Sequence, residues 1–509
     1  MNFVPSFSSE TWTLLVLFFT LFFTYSIWTF GTFQKLGIPG PRPIPLLGNL
    51  LSYRVGIHNF DTDCFKKYGK VWGVYETRKP VMMIADPAML KTILVKECYS
   101  LFTNRRDGPA VGILKDAVSI AKDEKWRRIR NSLSPSFTSG RLKDVFPVVQ
   151  QYADSLMNNL QKRNLEEPIL IKDMLGAYSM DVVTSSSFSV EVDSINNPDD
   201  PFVSNMKKLM NFSLFNPVVL LLLIFPFLAP VFEKFGLGFF SAKRLDFFHS
   251  TLRKVKDQHE KNDGDRVDFL KLMIQSQISA EQADKYTDEQ PVKGLTDQEI
   301  LSQSFIFILA GYETTSTSLS LLLYNLATHP ECMKKLQEEI DDFFPNNAQV
   351  TYDALTKMEY LDMAINESMR LWPTAPRVDR VCKKTVEIDG VTIPKDMVVG
   401  AAILVMHRDP NLWESPESFR PERFSKENKE SINPYAYLPF GAGPRNCIGM
   451  RFALLIMKLA VVKILQSFDI ETCKETQIPL ELNSMYQPKK PITLKFVLRS
   501  SAMTEISAA

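Results

Sequence analysis

Cys447 stands in the run Phe440-Gly441-Ala442-Gly443-Pro444-Arg445-Asn446-Cys447-Ile448-Gly449, and an apolar helix is predicted over Met450–Phe468 immediately after it. A cysteine just ahead of a helix N-terminus, with Arg445 beside it, sits where positive potential stabilises a thiolate. Gly441, Gly443 and Gly449 remove side chains where something bulky must approach the backbone. A lone cysteine is more commonly a small buried hydrophobe, but this flanking pattern favours a metal ligand. With one cysteine in the loop, the other ligands must come from elsewhere, as the four nitrogens of a haem would. Two more spacings carry charge chemistry. Glu367 and Arg370 lie at i,i+3 on one helix face, and Phe419-Arg420-Pro421-Glu422-Arg423-Phe424 offers a second arginine to the same carboxylate. Gly311, Glu313, Thr314, Thr315 and Ser316 interrupt a long apolar run. Gly and consecutive Thr are poor helix interiors, so this cluster has a function or spends its hydroxyls on backbone carbonyls.

Positioning these residues takes a large, mostly helical frame. Helical periodicity is predicted over Lys122–Leu133, Gly140–Arg163, Met174–Phe188, Lys243–Gln258, Val267–Gln277, Glu331–Asp341, Tyr360–Leu371 and Met450–Phe468. Strand signals are fewer. Val71–Glu76 and Val81–Ala85 are paired candidates, and residues 386–393 read as a hairpin with an Asp389-Gly390 turn. The longest helix opens on a capping box at Thr296 and Glu299 and runs to Thr328, where His329-Pro330 stops it. Apolar nearly all round, it belongs at the centre.

The chain has 509 residues, 45% hydrophobic and 23% charged, which excludes disorder for most of it. Fifty-nine Lys+Arg against 58 Asp+Glu leave a net charge of +1, so no basic excess points to nucleic acid. Six cysteines without a CxxC pair argue against a disulfide framework and a structural zinc. No GxGxxG follows a strand, so no nicotinamide or flavin site is built in. Residues 1–30 read as a membrane anchor. Trp12–Phe30 carries no charge and would span roughly 28 Å as a helix. Glu10 precedes it and Lys35 and Arg42 follow, which places the N-terminus in the lumen and the bulk of the chain in the cytosol. Residues 31–45, with four prolines between Pro39 and Pro45, read as a stiff spacer. Residues 46–509 show no compositional break and read as one catalytic domain. Within them, Asn216–Phe240 is an apolar loop broken by Pro226 and Pro230, expected to dip into lipid.

The order is the distinctive feature: the Ala310–Thr315 cluster, then Glu367-x-x-Arg370, then the Arg423 segment, then Phe440-x-x-Gly443-x-Arg445-x-Cys447-x-Gly449. In this the chain resembles the cytochrome P450 family over essentially its whole length. Lys35–Pro41, Val95–Ser100, Phe102–Arg106, Gly176–Asp181, Met358–Asp362 and Cys473–Pro479 are similar to the vertebrate microsomal 3A subfamily. The resemblance implies the P450 fold, mainly α with a minor β region and one long central helix, behind an N-terminal transmembrane helix. It implies haem b with Cys447 as axial iron ligand, and Arg445, Arg380, Arg130, Trp126 and Arg105 on the haem propionates. Glu367, Arg370 and Arg423 would form a structural triad, and Glu313 and Thr314 would relay protons. Ser119, Phe212, Phe215, Leu309, Ala310, Thr374, Ala375 and Met485 would line the substrate cavity. It further implies steroid and xenobiotic hydroxylation on the cytosolic face of the endoplasmic reticulum. Electrons would come from NADPH through NADPH–cytochrome P450 reductase, with cytochrome b5 assisting. Basic residues near the cysteine (Arg423, Lys426, Lys429, Arg451, Lys458) would meet the reductase. Two rivals, a haem-thiolate isomerase and a haem sensor, have no need of the Glu313-Thr314 relay or of a reductase respectively.

Overall fold

The computed structural model describes residues 8–106, 112–210, 216–235, 240–261, 268–285, 293–484 and 486–499. Its axis is the central helix Asp297–Thr328. Thr296 Oγ1 accepts from the Glu299 N–H at 3.3 Å and Glu299 Oε2 accepts from the Thr296 N–H at 2.9 Å, the reciprocal cap the sequence predicts. The helix stops at His329 because Pro330 opens the next one, Pro330–Phe343. Helices Ile171–Phe188, Glu359–Leu371 and Met450–Ser467 bury its flanks in one apolar core. Gly311 has a packing reason. A Cβ there would meet Val183 Cγ2 at 2.6 Å, so only glycine lets the Ile171–Phe188 helix come this close. Asp123–Leu133, Ser139–Gln161 and Ala242–Lys261 also form as predicted, to within a few residues.

The β region is small. Strands Val71–Glu76, Lys79–Ile84, Val398–Ala402 and Arg377–Val381 form a sheet in that order, antiparallel except for the middle pair. The Val386–Ile388 and Val391–Ile393 hairpin turns through Asp389 and Gly390, both at positive φ, as a two-residue turn between right-twisted strands requires.

The N-terminal apolar helix spans Ser9–Ile27, inside the 1–30 segment expected to anchor the chain, and starts at a Ser8 cap whose Oγ accepts from the Thr11 N–H. Leu14, Val16, Phe18, Phe19 and Phe23 stand exposed along it. The central helix is also long and apolar enough to span, but half of it is buried in protein, so its apolarity is that of a core. Beyond the anchor, Phe30 packs against Tyr75 at 5.0 Å and Phe33 is buried. The proline stretch is no free spacer either. The Gly73 N–H donates to Pro39 O at 2.8 Å, and a Cβ on Gly40 would meet Gly73 O at 2.0 Å. Proline has no amide hydrogen but keeps its carbonyl, so an extended proline run still serves a sheet edge as acceptor. The folded body therefore begins well before residue 46.

The proline-broken segment is helical between its breaks: Pro217–Ile224 under an Asn216 cap, a turn at Pro226–Leu228, then Ala229–Lys234. Its prolines fall in first turns, where the missing N–H costs nothing. Leu221, Phe227, Val231 and Phe235 are exposed. This segment meets the end of the anchor. Tyr25 Oη donates to Ile224 O at 3.0 Å, the Tyr25 ring stacks on Phe225, and the Arg78 guanidinium lies over the Tyr25 ring at 3.4 Å from its centre. Anchor and apolar segment thus form one exposed apolar face.

Candidate active site

Ala310, Thr314 and Ser318 recur four residues apart, and Ile306 and Phe307 lie four and three residues before Ala310, so they flank one stripe of the central helix. That stripe opens on a cavity of about 430 Å³. Pro373, Thr374, Ala375 and Val378 face it, Ser119 and Trp126 close one side, and the Phe440–Ile448 loop forms its floor. Of the expected substrate residues, Ser119, Ala310, Thr374 and Ala375 line the cavity. Leu309 does not; one residue off the stripe, it turns about 100° away and packs in the cluster around Phe305 and Ile308. Phe212, Phe215 and Met485 lie outside the described residues.

Cys447 is exposed to the cavity, while the protein atoms packed around the sulfur desolvate it. Its loop is tight. The Cys447 N–H donates to Phe440 O at 2.9 Å and the Asn446 N–H to Gly443 O at 3.0 Å. At Gly443 (φ +72°) a Cβ would meet Leu94 O at 1.9 Å. Arg130 clamps the preceding residue, donating to Asn446 O at 2.9 Å and Asn446 Oδ1 at 2.8 Å. Burial pushes the thiol upward, against the Gly449 N–H, Arg130 and Arg105, which pull it down. The helix-terminus and arginine effects expected to favour a thiolate are present, then, but do not by themselves outweigh desolvation, and a bound metal cation would supply the rest. Arg445, the neighbour expected to help, points elsewhere.

Arg105, Arg130, Arg380 and Arg445 converge beside the cysteine, with the Trp126 ring 4.2 Å from the Arg445 guanidinium. Arg445 donates to the carbonyls of Thr103, Val118 and Ala121, and Arg380 to Asp379 O. Nearby carboxylates are committed elsewhere, Asp379 to Arg106 and Asp123 to Lys383. Nε of both Arg105 and Arg380 is buried without a partner. Burial, reinforced by the neighbouring guanidiniums, holds Arg380 down to about 10 and Arg445 down to about 9. Such a cluster wants anions. Two carboxylates on a flat apolar macrocycle, over an axial sulfur, suit it: the residues present fit a haem.

Behind the loop, the fully buried Glu367 and Arg370 meet the partly buried Arg423. Arg370 Nε donates to Glu367 Oε2 at 2.7 Å and Arg370 Nη2 to Oε1 at 2.9 Å. Arg423 Nε reaches Oε1 at 3.1 Å. Arg370 also donates to the carbonyls of His407, Pro416 and Ser418, tying the end of the Ile403–His407 helix and the 416–418 loop to its own helix.

Glu313 and Thr314 part company. Thr314 faces the cavity, its hydroxyl donating to Ala310 O at 2.7 Å and leaving lone pairs toward the cavity. Glu313 turns off the wall, with its Oε1 3.1 Å from Lys172 Nζ on the Ile171–Phe188 helix and accepting from Thr317 Oγ1 at 3.3 Å. Lys172 also donates to Ser316 Oγ at 2.9 Å, and burial holds its amine below the usual range. Of the basic surface set, the partly buried Arg423 and the buried Lys458 are paired, Lys458 with Asp362 at 2.7 Å; Lys426 pairs with Glu359; Lys429 and Arg451 are exposed. Sequence reasoning missed Lys172 and His407. It also missed Ile306 and Phe307, although counting back in helical steps from Ala310 and Thr314 finds both.

Residues 38–496 match the family model for Cytochrome P450. The chain belongs to the cytochrome P450 family. Within it the protein is a P450 monooxygenase of the 3A type. It is 54% identical to Cytochrome P450 3A27 of Oncorhynchus mykiss, over all of this chain and 98% of that one. It is 56% identical to Cytochrome P450 3A40 of Oryzias latipes (97% of this chain, 98% of that one). Against Cytochrome P450 3A29 of Sus scrofa the identity is 53%, over 99% and 100%. The family implies a haem-thiolate centre, redox partners and apolar substrates.

Proposed function

We propose that this protein hydroxylates large apolar molecules, steroids such as testosterone and drugs among them: RH + O2 + NADPH + H⁺ gives ROH + H2O + NADP⁺. Electrons reach it from NADPH through NADPH–cytochrome P450 reductase, with cytochrome b5 assisting. The carrying observation is the cavity that joins the apolar stripe of the central helix to the Cys447 thiol, flanked by arginines short of anionic partners. When bound, a thiolate-ligated haem supplies oxygen activation, thiolate donation favouring O–O cleavage. Cys447 gives the sulfur, and Arg105, Arg130, Arg380, Arg445 and Trp126 hold the propionates. Ile306, Phe307, Ala310 and Val378 bury the apolar body of the substrate; Ser119 and Thr374 offer hydroxyls that orient a polar group on it. Thr314 holds a water with the lone pairs its backbone bond leaves free. Glu313 stands one step behind as proton source, and reaches the cavity only after leaving Lys172.

The Ser9–Ile27 helix crosses the membrane of the endoplasmic reticulum with its N-terminus in the lumen, and the exposed apolar side chains of residues 217–235 dip into the cytosolic leaflet. Lys429 and Arg451 meet an acidic reductase surface. The test is reconstitution with the reductase, NADPH and testosterone. Substrate-dependent NADPH oxidation with hydroxylated product is expected; NADPH oxidation unaffected by any apolar substrate, without product, refutes the reading. Cys447→Ser should lose both the thiolate-type carbonyl absorption band of the reduced protein and the activity.

A further inference from the structure

His407 is fully buried and belongs to no part of the chemistry described so far. It ends the short helix Ile403–His407, between the buried triad and the cysteine loop. Its Nδ1 lies 3.1 Å from Arg370 O and its Nε2 2.9 Å from the Leu438 N. A backbone N–H can only donate, so Nε2 accepts; Nδ1 therefore carries the proton and donates to the Arg370 carbonyl. One tautomer satisfies both ends, and a protonated ring would set a donor against a donor at Leu438.

The hydrogen bonds continue from Leu438 into the loop. Leu438 O accepts from the Gly441 N–H at 3.0 Å, and Phe440 O accepts from the Cys447 N–H at 2.9 Å. A second tie holds the same strand: Tyr437 Oη bonds Asn366 O at 2.9 Å and Oδ1 at 3.0 Å, and the Tyr437 ring packs on the His407 ring. The Glu359–Leu371 helix thus grips the loop's entry at two points, one of them through the imidazole. The charged groups around the ring are Arg370 on that helix and Arg408 next in the chain, both positive, with the Tyr437 phenol on the loop side. Among the described residues nothing acidic touches it, so its setting favours the neutral, tautomer-locked form.

We propose that His407 is a positioning residue for the cysteine loop. By accepting the Leu438 N–H, it fixes the height of the Phe440 carbonyl and, through it, of the Cys447 backbone and sulfur. This rests on Cys447 as the haem ligand. What would distinguish a positioning role from plain core packing is directional: losing the Leu438 contact should loosen the loop, and losing the Arg370 contact should not.

Two single variants separate the contacts. In His407→Gln the side-chain oxygen reaches the Nε2 position and keeps an acceptor for Leu438. In His407→Asn the shorter amide reaches the Nδ1 position and keeps only a donor for Arg370 O. The readouts are amide hydrogen exchange of the 437–447 peptide, the rate at which the reduced carbonyl complex loses its thiolate-type band under mild heating, and the melting temperature. The expected result is near-wild-type exchange and band loss for His407→Gln. For His407→Asn, both should be at least tenfold faster, beyond what its change in melting temperature accounts for. Wild-type behaviour in His407→Asn, or equal loosening in both variants in step with melting temperature, overturns the proposal. Absence of the thiolate-type band in the wild type would instead overturn the ligand assignment, which the exchange measurement does not need. If His407→Asn yields no folded protein, Tyr437→Phe, which frees the same strand at its other tie, takes its place. Undisturbed exchange and band loss there would equally refute control of the sulfur from this strand.

Discussion

Arg380→Met is expected to weaken haem retention without weakening the fold. Arg380 is 2% exposed, yet among the described residues its one hydrogen bond is to Asp379 O at 2.7 Å, and its Nε has no partner there. Holding a guanidinium at about 10 against its ordinary 12.5 corresponds to about 3 kcal/mol of burial and repulsion borne by the charged form. The lost charge-assisted hydrogen bond to the Asp379 carbonyl returns about 1.5–3 kcal/mol of that, and methionine fills much of the volume. The fold itself should therefore be unchanged or slightly more stable. With haem bound the sign reverses, because the cation then has its anion. A charge-assisted hydrogen bond contributes about 1.5–3 kcal/mol, so haem loss should speed up about 10–100-fold. Arg380→Lys keeps the charge but not the fork and should fall between. The assay is transfer of haem to an excess of a haem-free globin, followed by absorbance, with urea unfolding of each variant alongside. Arg380→Met losing haem at the wild-type rate would refute the reading of this cluster as an anion site. A large loss of urea stability would refute the reading of Arg380 as an uncompensated charge.

Thr314→Ala should keep haem and substrate binding, because its hydroxyl only back-bonds to Ala310 and alanine is the better helix former. Per NADPH, hydroxylated product should fall several-fold and hydrogen peroxide rise; unchanged coupling across several substrates removes Thr314 from proton delivery. Deleting residues 1–30 should leave detergent-sensitive membrane binding through the exposed Leu221, Phe227, Val231 and Phe235. Changing those four to Ser in that background should solubilise the protein, and vesicle flotation reads both steps. Burial, with Arg370 and Arg408 adding, holds His407 down to about 3 from an ordinary 6.5, so the folded ring stays neutral where the unfolded one is charged. Its stabilisation is complete above pH 6.5 and is lost as the pH falls from 6.5 toward 3, about 2 kcal/mol of it by pH 5. His407→Gln has nothing to titrate, so its unfolding free energy should fall less between pH 7 and pH 5; equal slopes refute the assignment.

Much of the frame was legible because each signal was local. The Thr296–Glu299 cap, the Asp389-Gly390 turn and the Pro330 stop depend on neighbours in sequence, and each forms where predicted. What sequence did not show depends on a partner far along the chain. Phe33 and Pro39 belong to the folded body because a sheet edge at Gly73 was waiting for them, and proline content alone reads the same for a spacer and for an extended edge. Leu309 and Ala310 differ by one helical step, so apolar type could not tell wall from core, whereas the stripe through Ala310 and Thr314 could.

Glu313 shows the limit most clearly. Adjacent polar residues read as one relay, but adjacency on a helix means about 100° of rotation, and a buried carboxylate goes where a counter-charge is. Lys172 lies 141 positions away, in a helix whose periodicity announced nothing but core. The same holds for His407, whose two contacts, Arg370 O and Leu438 N, lie on either side of it in the chain and far from it. Local patterns set the helices; distant charges and orphan donors then decide which way each polar side chain turns. That is why the cysteine and its glycines could be found by reading along the chain, while the residues that orient them required the fold.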